Sequence, residues 1–176
     1  MKSILFFAVL IFSMRLFADQ ADNLPAINFS EVVKGKIYRS GEPALWEYEG
    51  YAKKYGIKTI INMQTDMPVV EAEIAEAAKH GIKVISLPII GYLYPTDKDI
   101  SKIYKELTDK KNYPVLIHCY HGRDRTGLLI GLYRVFKQNW LVEQAYAEML
   151  KFDFLTYNWP LQMYWEDKTR HRTDEY

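Results

Sequence analysis

The stretch of sequence that decides the fold reads HCYHGRDRTG and runs from residue 118 to residue 127. It contains the only cysteine of this 176-residue chain, Cys119, and an arginine six positions later, Arg125. Apolar runs flank it at 114–117 and 128–132. This pattern predicts a buried strand of a parallel sheet, then a tight loop, and then a buried helix.

The predicted loop suits the binding of a phosphate group. Gly122 and Gly127 permit sharp turns and close backbone approaches, and a short loop at a helix N-terminus directs several N–H groups toward an anion. Cys119 in such a place should be a thiolate at neutral pH. Arg125 can hold two phosphate oxygens with its planar guanidinium, and the Thr126 hydroxyl can hydrogen-bond the sulfur when it becomes the leaving group. The alternative is that Cys119 is a small buried hydrophobe, which would need neither the glycines nor the arginine.

The Cys-x5-Arg loop resembles the signature of the protein tyrosine phosphatase superfamily, whose members are cysteine-dependent phosphatases that form a phosphocysteine. The resemblance extends to YRSGEP at 38–43, IKTIIN at 57–62 and PVLIHC at 114–119, and it covers residues 36–152. It is closest to the atypical dual-specificity phosphatases of plants and fungi, which act on inositol polyphosphates or pyrophosphates. The chain also resembles exported bacterial phosphatases of the tyrosine-phosphatase type that degrade phytate.

Composition and length predict one globular domain. The chain is 49% hydrophobic and 26% charged, without internal repeats or low-complexity tracts. The formal net charge of +1 argues against nucleic acid as a general partner. The four histidines show no metal-ligand spacing, and the loop and its arginine supply the charge that a metal would otherwise supply. We therefore predict no cofactor and no metal.

Residues 1–18 have the features of a secretory signal peptide. Lys2 provides the positive start, and 4–12 is an apolar core too short to cross a bilayer as a helix. Leu-Phe-Ala at 16–18 offers a candidate cleavage site, and an uncleaved N-terminal anchor is the alternative. We expect a phosphatase domain over 19–176, without stable membrane insertion after cleavage, located in the periplasm or secreted.

Strands alternate with helices along the chain, which is typical of an α/β fold. The family resemblance implies the same class, with a central, mostly parallel sheet flanked by helices in a single domain like that of a dual-specificity phosphatase. The predicted strands are a short one beginning at Ile37, 57–63, 82–87 and 114–118. Five helices are predicted. The first spans 43–55, the second has Val70, Ile74 and Ala77 on its buried face, and the third is marked by Ile100, Ile103, Tyr104 and Leu107. The fourth runs from the loop to 137 or 138, and the last carries Val142, Ala145, Tyr146, Met149 and Leu150. We expect 19–36 to be an extended lead-in and 168–172 to be a solvated tail.

A general acid is needed to protonate the leaving oxygen of a phosphate ester. The family resemblance implies an aspartate about thirty residues before the cysteine, on a mobile loop. That spacing falls here on Ile-Ile-Gly at 89–91, which contains no acid. The nearest acids are Asp97 and Asp99. Thr96-x-x-Asp99 predicts a helix cap, so we assign Asp99 to capping and Asp97, 22 residues before Cys119, to catalysis.

Asp124 is a third candidate for the acid because it lies inside the loop. Some bacterial and lipid-directed relatives carry an acid directly before the signature arginine. Its alternative role is to hold Arg125 or another basic residue in an ion pair.

The remaining loop residues are predicted to bind the substrate: Tyr120, His121, Gly122, Arg123, Asp124, Thr126 and Gly127. Arg123, with His121 and Arg125, forms a basic cluster suited to a multiply phosphorylated ligand. The alternative is that Arg123 is solvated or pairs with Asp124. We interpret His118 as a hydrogen-bonding support for the loop.

These features favour an exported phosphatase of inositol polyphosphates, phytate above all, because soluble phosphate esters are available outside the cytosol. A phosphatase of phosphotyrosine proteins or of phosphoinositides uses the same chemistry and is the first alternative. A silent phosphate-binding module and a thiol-sulfur transferase are alternatives from other classes. The intact pair of Cys119 and Arg125 argues against the first of these, and the Arg-Thr-Gly ending at 125–127 argues against the second.

Overall fold

The central feature of the fold is a five-stranded sheet. The computed structural model describes residues 26–173, with side chains to residue 170, so the predicted signal peptide lies outside the described residues. The strands are β1 (Ser30–Val33), β2 (Ile37–Ser40), β3 (Thr59–Asn62), β4 (Lys83–Ser86) and β5 (Val115–His118). Their order is β1-β2-β5-β3-β4, and every neighbouring pair is parallel except β1 with β2. The predicted mostly parallel sheet is thus confirmed.

Helices flank the sheet in a single domain, as predicted. They are α1 (Tyr48–Tyr55), α2 (Met67–Lys79), α3 (Asp97–Thr108), α4 (Asp124–Gln138), α5 (Val142–Lys151) and α6 (Trp159–Thr173), with 3-10 turns at Leu45–Glu47 and Lys110–Asn112. None of the helices within 26–173 is both long and apolar enough to cross a membrane.

Alternate residues of the central strands face two separate cores. On β5, Val115 and Ile117 pack in the same core as residues of α3, α4, α5 and α6. Leu116 faces the opposite side, where it packs with residues of α1 and α2. All four residues of β5 are buried, which is expected for the middle strand of a parallel sheet covered on both faces. The chain therefore leaves β5 from the centre of a three-layer structure, where α/β folds place their ligand sites.

One detail of the predicted helices is corrected by the structure. Ile74 does not belong to the buried face of α2, because 43% of it is exposed. The buried residues of that helix are Val70, Glu73 and Ala77, so a carboxylate at 73 takes the buried place that was expected for Ile74. Its partners, described below, make this burial favourable.

The predicted lead-in and tail both contain regular structure. Residues 30–33 form β1, which pairs antiparallel with β2. The tail at 168–172 is part of α6, whose buried residues include Trp165 and Thr169. The Thr169 hydroxyl donates a hydrogen bond of 2.8 Å to the Trp165 carbonyl oxygen, which allows a polar residue to occupy a buried position on the helix. The prediction of a solvated tail is wrong for Thr169, whereas Arg170 is exposed as expected.

Candidate active site

The sequence from β5 into α4 places Cys119 at the carboxyl end of the central strand. The thiol is free, and the residue is only 2% exposed. The chain then turns through a loop at 119–123, called the phosphate loop below, and α4 begins at Asp124. Gly127 N–H donates to the Arg123 carbonyl oxygen at 2.7 Å, which closes the first turn. The positive end of the α4 dipole therefore lies at this loop.

The two glycines of the motif lie where a side chain has no room. Gly122 has φ +69°, and a Cβ there would lie 2.4 Å from the Gly41 amide nitrogen, just after β2. A Cβ at Gly127 would meet the ring of Phe154 at 3.3 Å. The loop is thus packed directly against the backbone that follows β2, and the start of α4 is packed against the segment that follows α5.

The outer side of the loop is held through its carbonyl oxygens. Glu42 N–H donates to the Tyr120 carbonyl oxygen at 2.9 Å. The Asn28 side-chain amide donates to the His121 carbonyl oxygen at 3.0 Å. A loop whose carbonyl groups are bound from outside can turn its N–H groups inward, as an anion site requires.

Arg39 of β2 holds the next carbonyl of the loop. Its Nη2 donates to the Gly122 carbonyl oxygen at 2.5 Å, and its guanidinium lies over the Phe152 ring, 3.9 Å from the centroid. Burial lowers the pKa of Arg39 to about 10, although the negative charges of Glu148 and of a Cys119 thiolate oppose this shift. The guanidinium is therefore still charged at neutral pH.

Arg125 is held at the mouth of the loop by two backbone carbonyls. Its Nη1 donates to the carbonyl oxygens of Met63, at 2.8 Å, and Ile89, at 3.2 Å. A Cβ added to Gly91 would lie 3.4 Å from Arg125 Nε. The segment just after β3, at Met63, and the segment after β4 thus fix the guanidinium. The second segment passes close to it at Gly91, which has no side chain.

Beneath the loop, a buried carboxylate binds the histidine that precedes the cysteine. Glu73 of α2 accepts hydrogen bonds from His118 Nε2 at 2.9 Å, from the Tyr48 hydroxyl at 3.0 Å, and from the Asn62 side-chain amide. His118 Nδ1 lies 3.3 Å from the Cys119 carbonyl oxygen. Burial alone would raise the pKa of Glu73, but His118 and the other donors outweigh it and hold the pKa below its usual value. His118 supports the loop in this arrangement.

Asp97 and Asp99 lie at the start of α3. Thr96 caps the helix, since its Oγ1 accepts from Asp99 N–H at 3.1 Å and donates to the Asp99 carboxylate at 2.7 Å. Asp97 accepts from the Tyr164 hydroxyl at 2.8 Å and from Lys168 Nζ at 2.9 Å, both of α6. The hydrogen bond from Lys168, with that from Tyr164, lowers the pKa of Asp97.

Asp124 joins the loop to the segment after α5. Its Oδ1 accepts from Leu155 N–H at 2.9 Å. Its Oδ2 lies 3.9 Å from Arg123 Nε, in an ion pair too long to be a hydrogen bond. This carboxylate therefore stabilises the start of α4. It also pairs with a basic residue, Arg123, which is the alternative role predicted for it.

Buried donors without partners gather around the phosphate loop. Among the described side chains, six buried polar atoms make no hydrogen bond, and all but the Tyr104 hydroxyl belong to the loop or its border. They are Arg39 Nε, Arg39 Nη1, Gln64 Nε2, Arg123 Nε and Thr126 Oγ1. Each unmade bond costs about 1–3 kcal/mol, so a cluster of donors marks a place for an anion. Thr126 makes no hydrogen bond to the Cys119 sulfur in this structure.

Exposed aromatic side chains lie on the loop and on segments near Arg125. Tyr120 is exposed and its ring meets the His121 ring edge-on, with centroids 4.5 Å apart. Tyr92, just beyond Gly91, and Tyr157 are also exposed. The segments that carry these two tyrosines are joined, because the Asn158 side-chain amide donates to the Gly91 carbonyl oxygen at 3.0 Å. The rim therefore offers both aromatic surface and the basic groups of the loop.

Sequence reasoning missed the supports of the loop. Asn28 comes from the segment before β1, Arg39 from β2 and Glu73 from α2. All three are far from the motif along the chain. One signal was available, since Arg39 and Glu73 are charged residues within otherwise apolar patterns. Within the described part of the chain, no group of three His, Cys, Asp or Glu residues is arranged to hold a metal ion.

Comparisons with known proteins all point to phosphatases. Residues 23–169 match the model of the Tyrosine phosphatase family. Inositol diphosphatase DSP5 of Arabidopsis thaliana is 34% identical over 132 residues, which are 73% of this chain and 63% of the relative. Inositol diphosphatase SIW14 of Saccharomyces cerevisiae is 30% identical over 136 residues, 74% of this chain and 47% of the relative. The chain spans 63% and 65% of the first two curated relatives.

Solved structures share the fold. The core catalytic domain of PP-IP phosphatase SIW14 from S. cerevisiae superposes with a TM-score of 0.67 at 25% identity, over 86% of this chain and 94% of that one. P. aeruginosa TpbA gives a TM-score of 0.68 at 25% identity, over 80% of this chain and 84% of that one.

Proposed function

Because the chain belongs to the tyrosine phosphatase family, we propose that it is a phosphatase that hydrolyses phosphate monoesters through a phosphocysteine intermediate. The observation that carries the proposal is the position of Cys119 between the end of β5 and the start of α4, in a loop that also carries the unpartnered Arg123 Nε and leads to the unpartnered Thr126 hydroxyl. Arg125, fixed by two carbonyls, adds a positive charge at the same place. Such a site stabilises the extra negative charge of a phosphoryl group during transfer.

The first step forms the phosphocysteine. The Cys119 thiolate attacks phosphorus, so an S–P bond forms and the bond from phosphorus to the ester oxygen breaks. The leaving oxygen takes the electron pair and a proton from a general acid. Arg125 and the loop N–H groups hold the non-bridging oxygens during this step.

The second step regenerates the enzyme. A water molecule attacks phosphorus, its proton passes to the carboxylate left by the first step, and the S–P bond breaks to restore the thiolate. Inorganic phosphate then leaves. Thr126 has a free hydroxyl beside this loop, and it can stabilise the departing sulfur by turning its O–H toward it.

Asp97 is our candidate for the general acid. An acid must carry a proton when the substrate binds, whereas Lys168 and Tyr164 favour the ionised form of Asp97. The proposed role therefore requires Asp97 to leave both partners when the substrate is bound. Its exposed position at the first turn of α3 permits such a movement.

The proposed substrates are inositol polyphosphates, phytate above all. Relatives that match this chain are inositol diphosphatases. Arg123 supports the proposal, because its Nε is buried without a hydrogen-bond partner beside the loop. Together with His121 and Arg125 it can bind a second phosphate on the same ring.

A second candidate is a phosphotyrosine protein or a phosphoinositide. The exposed rings of Tyr92, Tyr120 and Tyr157 favour it, because aromatic surface near an active site packs well against another ring or an acyl chain.

The predicted leader at 1–18 supports export, and we propose a periplasmic or secreted enzyme that meets soluble phosphate esters.

The experiment is to measure phosphate release from phytate, a phosphotyrosine peptide and a phosphoinositide with the same preparation. We expect the highest kcat/KM with phytate. Negligible release from phytate beside rapid release from the peptide would reject the inositol polyphosphate proposal. Cys119→Ser should abolish release while it still binds the substrate, and release that persists in this variant would reject the phosphocysteine step and favour another chemistry.

A further inference from the structure

Arg39 is a cation on the apolar face of the sheet. β2 and β5 are parallel neighbours in which Arg39 is the partner of Ile117 and Ser40 the partner of His118. Side chains alternate along a strand, so Arg39 points to the same side as Ile37, which shares the core that contains Ile117 and Cys119. Arg39 is 1% exposed. Burying a charged group costs free energy unless hydrogen bonds or an opposite charge compensate for it.

The contacts of Arg39 lead to the phosphate loop rather than to an ion-pair partner. Nη2 donates to the Gly122 carbonyl oxygen, and Phe152 covers the guanidinium face. Among the described residues, no salt bridge involves Arg39. Nε and Nη1 are buried and make no hydrogen bond. Within the described chain, Arg39 thus has no direct ion-pair partner beneath the loop that carries Cys119, and the charges of Glu148 and of a Cys119 thiolate act on it without direct contact.

We propose that Arg39 is a positioning residue for the phosphate loop, which holds the Gly122 carbonyl outward and provides a fixed positive charge that favours the Cys119 thiolate. This inference rests on the proposed function, because it assigns Arg39 to the same site. Two effects follow from one side chain. The hydrogen bond fixes the peptide groups on either side of Gly122, and the positive charge stabilises the negative sulfur and, later, the phosphoryl oxygens.

Arg134 provides a matched control. It is also a buried arginine that binds a backbone carbonyl, that of Val32 at 2.8 Å, and lies 4.4 Å from an aromatic centroid, that of Trp140. Its charge is neutralised by Glu148 in two hydrogen bonds of 2.8 and 2.7 Å. A substitution of Arg134 removes a comparable buried side chain and leaves Arg39 and its bond to Gly122 in place. The charges of Arg134 and Glu148 both act on Arg39, so the comparison also shows how much of any change in thiol ionisation comes from that pair.

The test compares Arg39→Met with Arg134→Met in the full chain. Because Cys119 is the only cysteine, the ultraviolet absorbance of its thiolate can be titrated with pH, with Cys119→Ser as the blank. We expect Arg39→Met to move the midpoint of thiol ionisation upward by about one pH unit or more, and to lower kcat on an aryl phosphate roughly 100-fold. Arg134→Met should lower the urea midpoint and leave the thiol titration unchanged.

Three results would overturn the inference. One is a folded Arg39→Met protein with wild-type thiol ionisation and wild-type kcat, and another is an equal shift of thiol ionisation in Arg134→Met. If Arg39→Met does not fold, Arg39→Lys tests the inference instead. Lysine keeps the charge but lacks the planar group that lies over Phe152 and binds the Gly122 carbonyl. The Arg39→Lys protein should show thiol ionisation near that of the wild type and a lower kcat. A wild-type kcat in this variant is the third contrary result. Thiol titration needs no substrate, so it tests Arg39 even if the wild-type protein releases no phosphate.

Discussion

Tyr164 donates a hydrogen bond of 2.8 Å to Asp97, so the last helix of the described chain holds the first residue of α3. Lys168, one turn further along α6, donates to the other carboxylate oxygen. The two donors keep Asp97 ionised and fix its position. The residue proposed as general acid is therefore held by α6 in this structure, and its release becomes part of the proposed reaction.

Asparagine substitutions should identify the general acid. We expect Asp97→Asn to lower kcat roughly 100-fold on a substrate with a poor leaving group and to have little effect on one with a good leaving group. Asp99→Asn and Asp124→Asn should show no such dependence, because these carboxylates bind Thr96 and Leu155. The measurement is kcat on matched alkyl and aryl phosphates. Equal losses in all three variants on both substrates would contradict the assignment.

The partner of Asp97 offers a further check on the same prediction. Lys168→Met removes the main cause of the lowered pKa of Asp97, so the pKa should rise toward its ordinary value. A general acid is active while protonated, and the alkaline limb of the kcat/KM profile, which reports the free enzyme, should then move to higher pH. An unchanged profile would separate Asp97 from the proton transfer.

Lysine cannot replace Arg125 without loss of activity. The guanidinium donates from Nη1 to two carbonyl oxygens and keeps its other donors for the phosphoryl group, whereas an ammonium cannot hold both sets in a planar arrangement. We expect Arg125→Lys to lower kcat/KM about 100-fold or more, measured on an aryl phosphate. Arg123→Lys, the control next to it, should keep most of the activity. A fully active Arg125→Lys protein would disprove the role of the planar group.

Arg123 should distinguish substrates with several phosphates from those with one. Its Nε has no hydrogen-bond partner, and its carboxylate neighbour is 3.9 Å away. If it binds a second phosphate, Arg123→Met should lower kcat/KM for phytate roughly tenfold and leave a phosphotyrosine peptide nearly unaffected. The same loss on both substrates would place Arg123 in the support of the loop instead.

Acid should weaken the fold through Glu73. The pKa of this carboxyl group is below its usual value in the folded protein, so its ionised form stabilises the fold above the unfolded pKa of about 4.3, and this contribution is lost as the pH falls through the folded pKa. Glu73→Gln cannot accept all three hydrogen bonds. We expect it to lower the free energy of unfolding by about 2 kcal/mol at pH 7, and to reduce the dependence on pH below about 4.3.

Urea unfolding between neutral and acidic pH measures this prediction. Glu49→Gln is the control, because the pKa of Glu49 is also lowered, by Lys53, but its side chain is exposed on the surface of α1. Solvent screens such a pair, and the variant should unfold like the wild type. Equal changes in the two variants would mean that the buried network adds nothing to stability.

The sequence predicts the local part of the site well and the distant part poorly. Strand, loop and helix follow from the spacing around Cys119 because apolar runs and glycines act over a few residues. The bond from Arg39 to Gly122 joins residues 83 positions apart, and no local pattern specifies that meeting. Glu73 illustrates the same limit, since its burial on α2 depends on three donors from other elements, Tyr48, Asn62 and His118. α6 was missed because part of its buried face is polar.

The lone cysteine has a consequence for where the protein can fold. Because a single thiol cannot form a disulfide within the chain, the described fold is held by packing, hydrogen bonds and ion pairs alone. A reducing or an oxidising compartment therefore yields the same tertiary structure. Reversible oxidation of Cys119, the proposed nucleophile, would silence the enzyme while leaving it folded and open to repair by a thiol reductant.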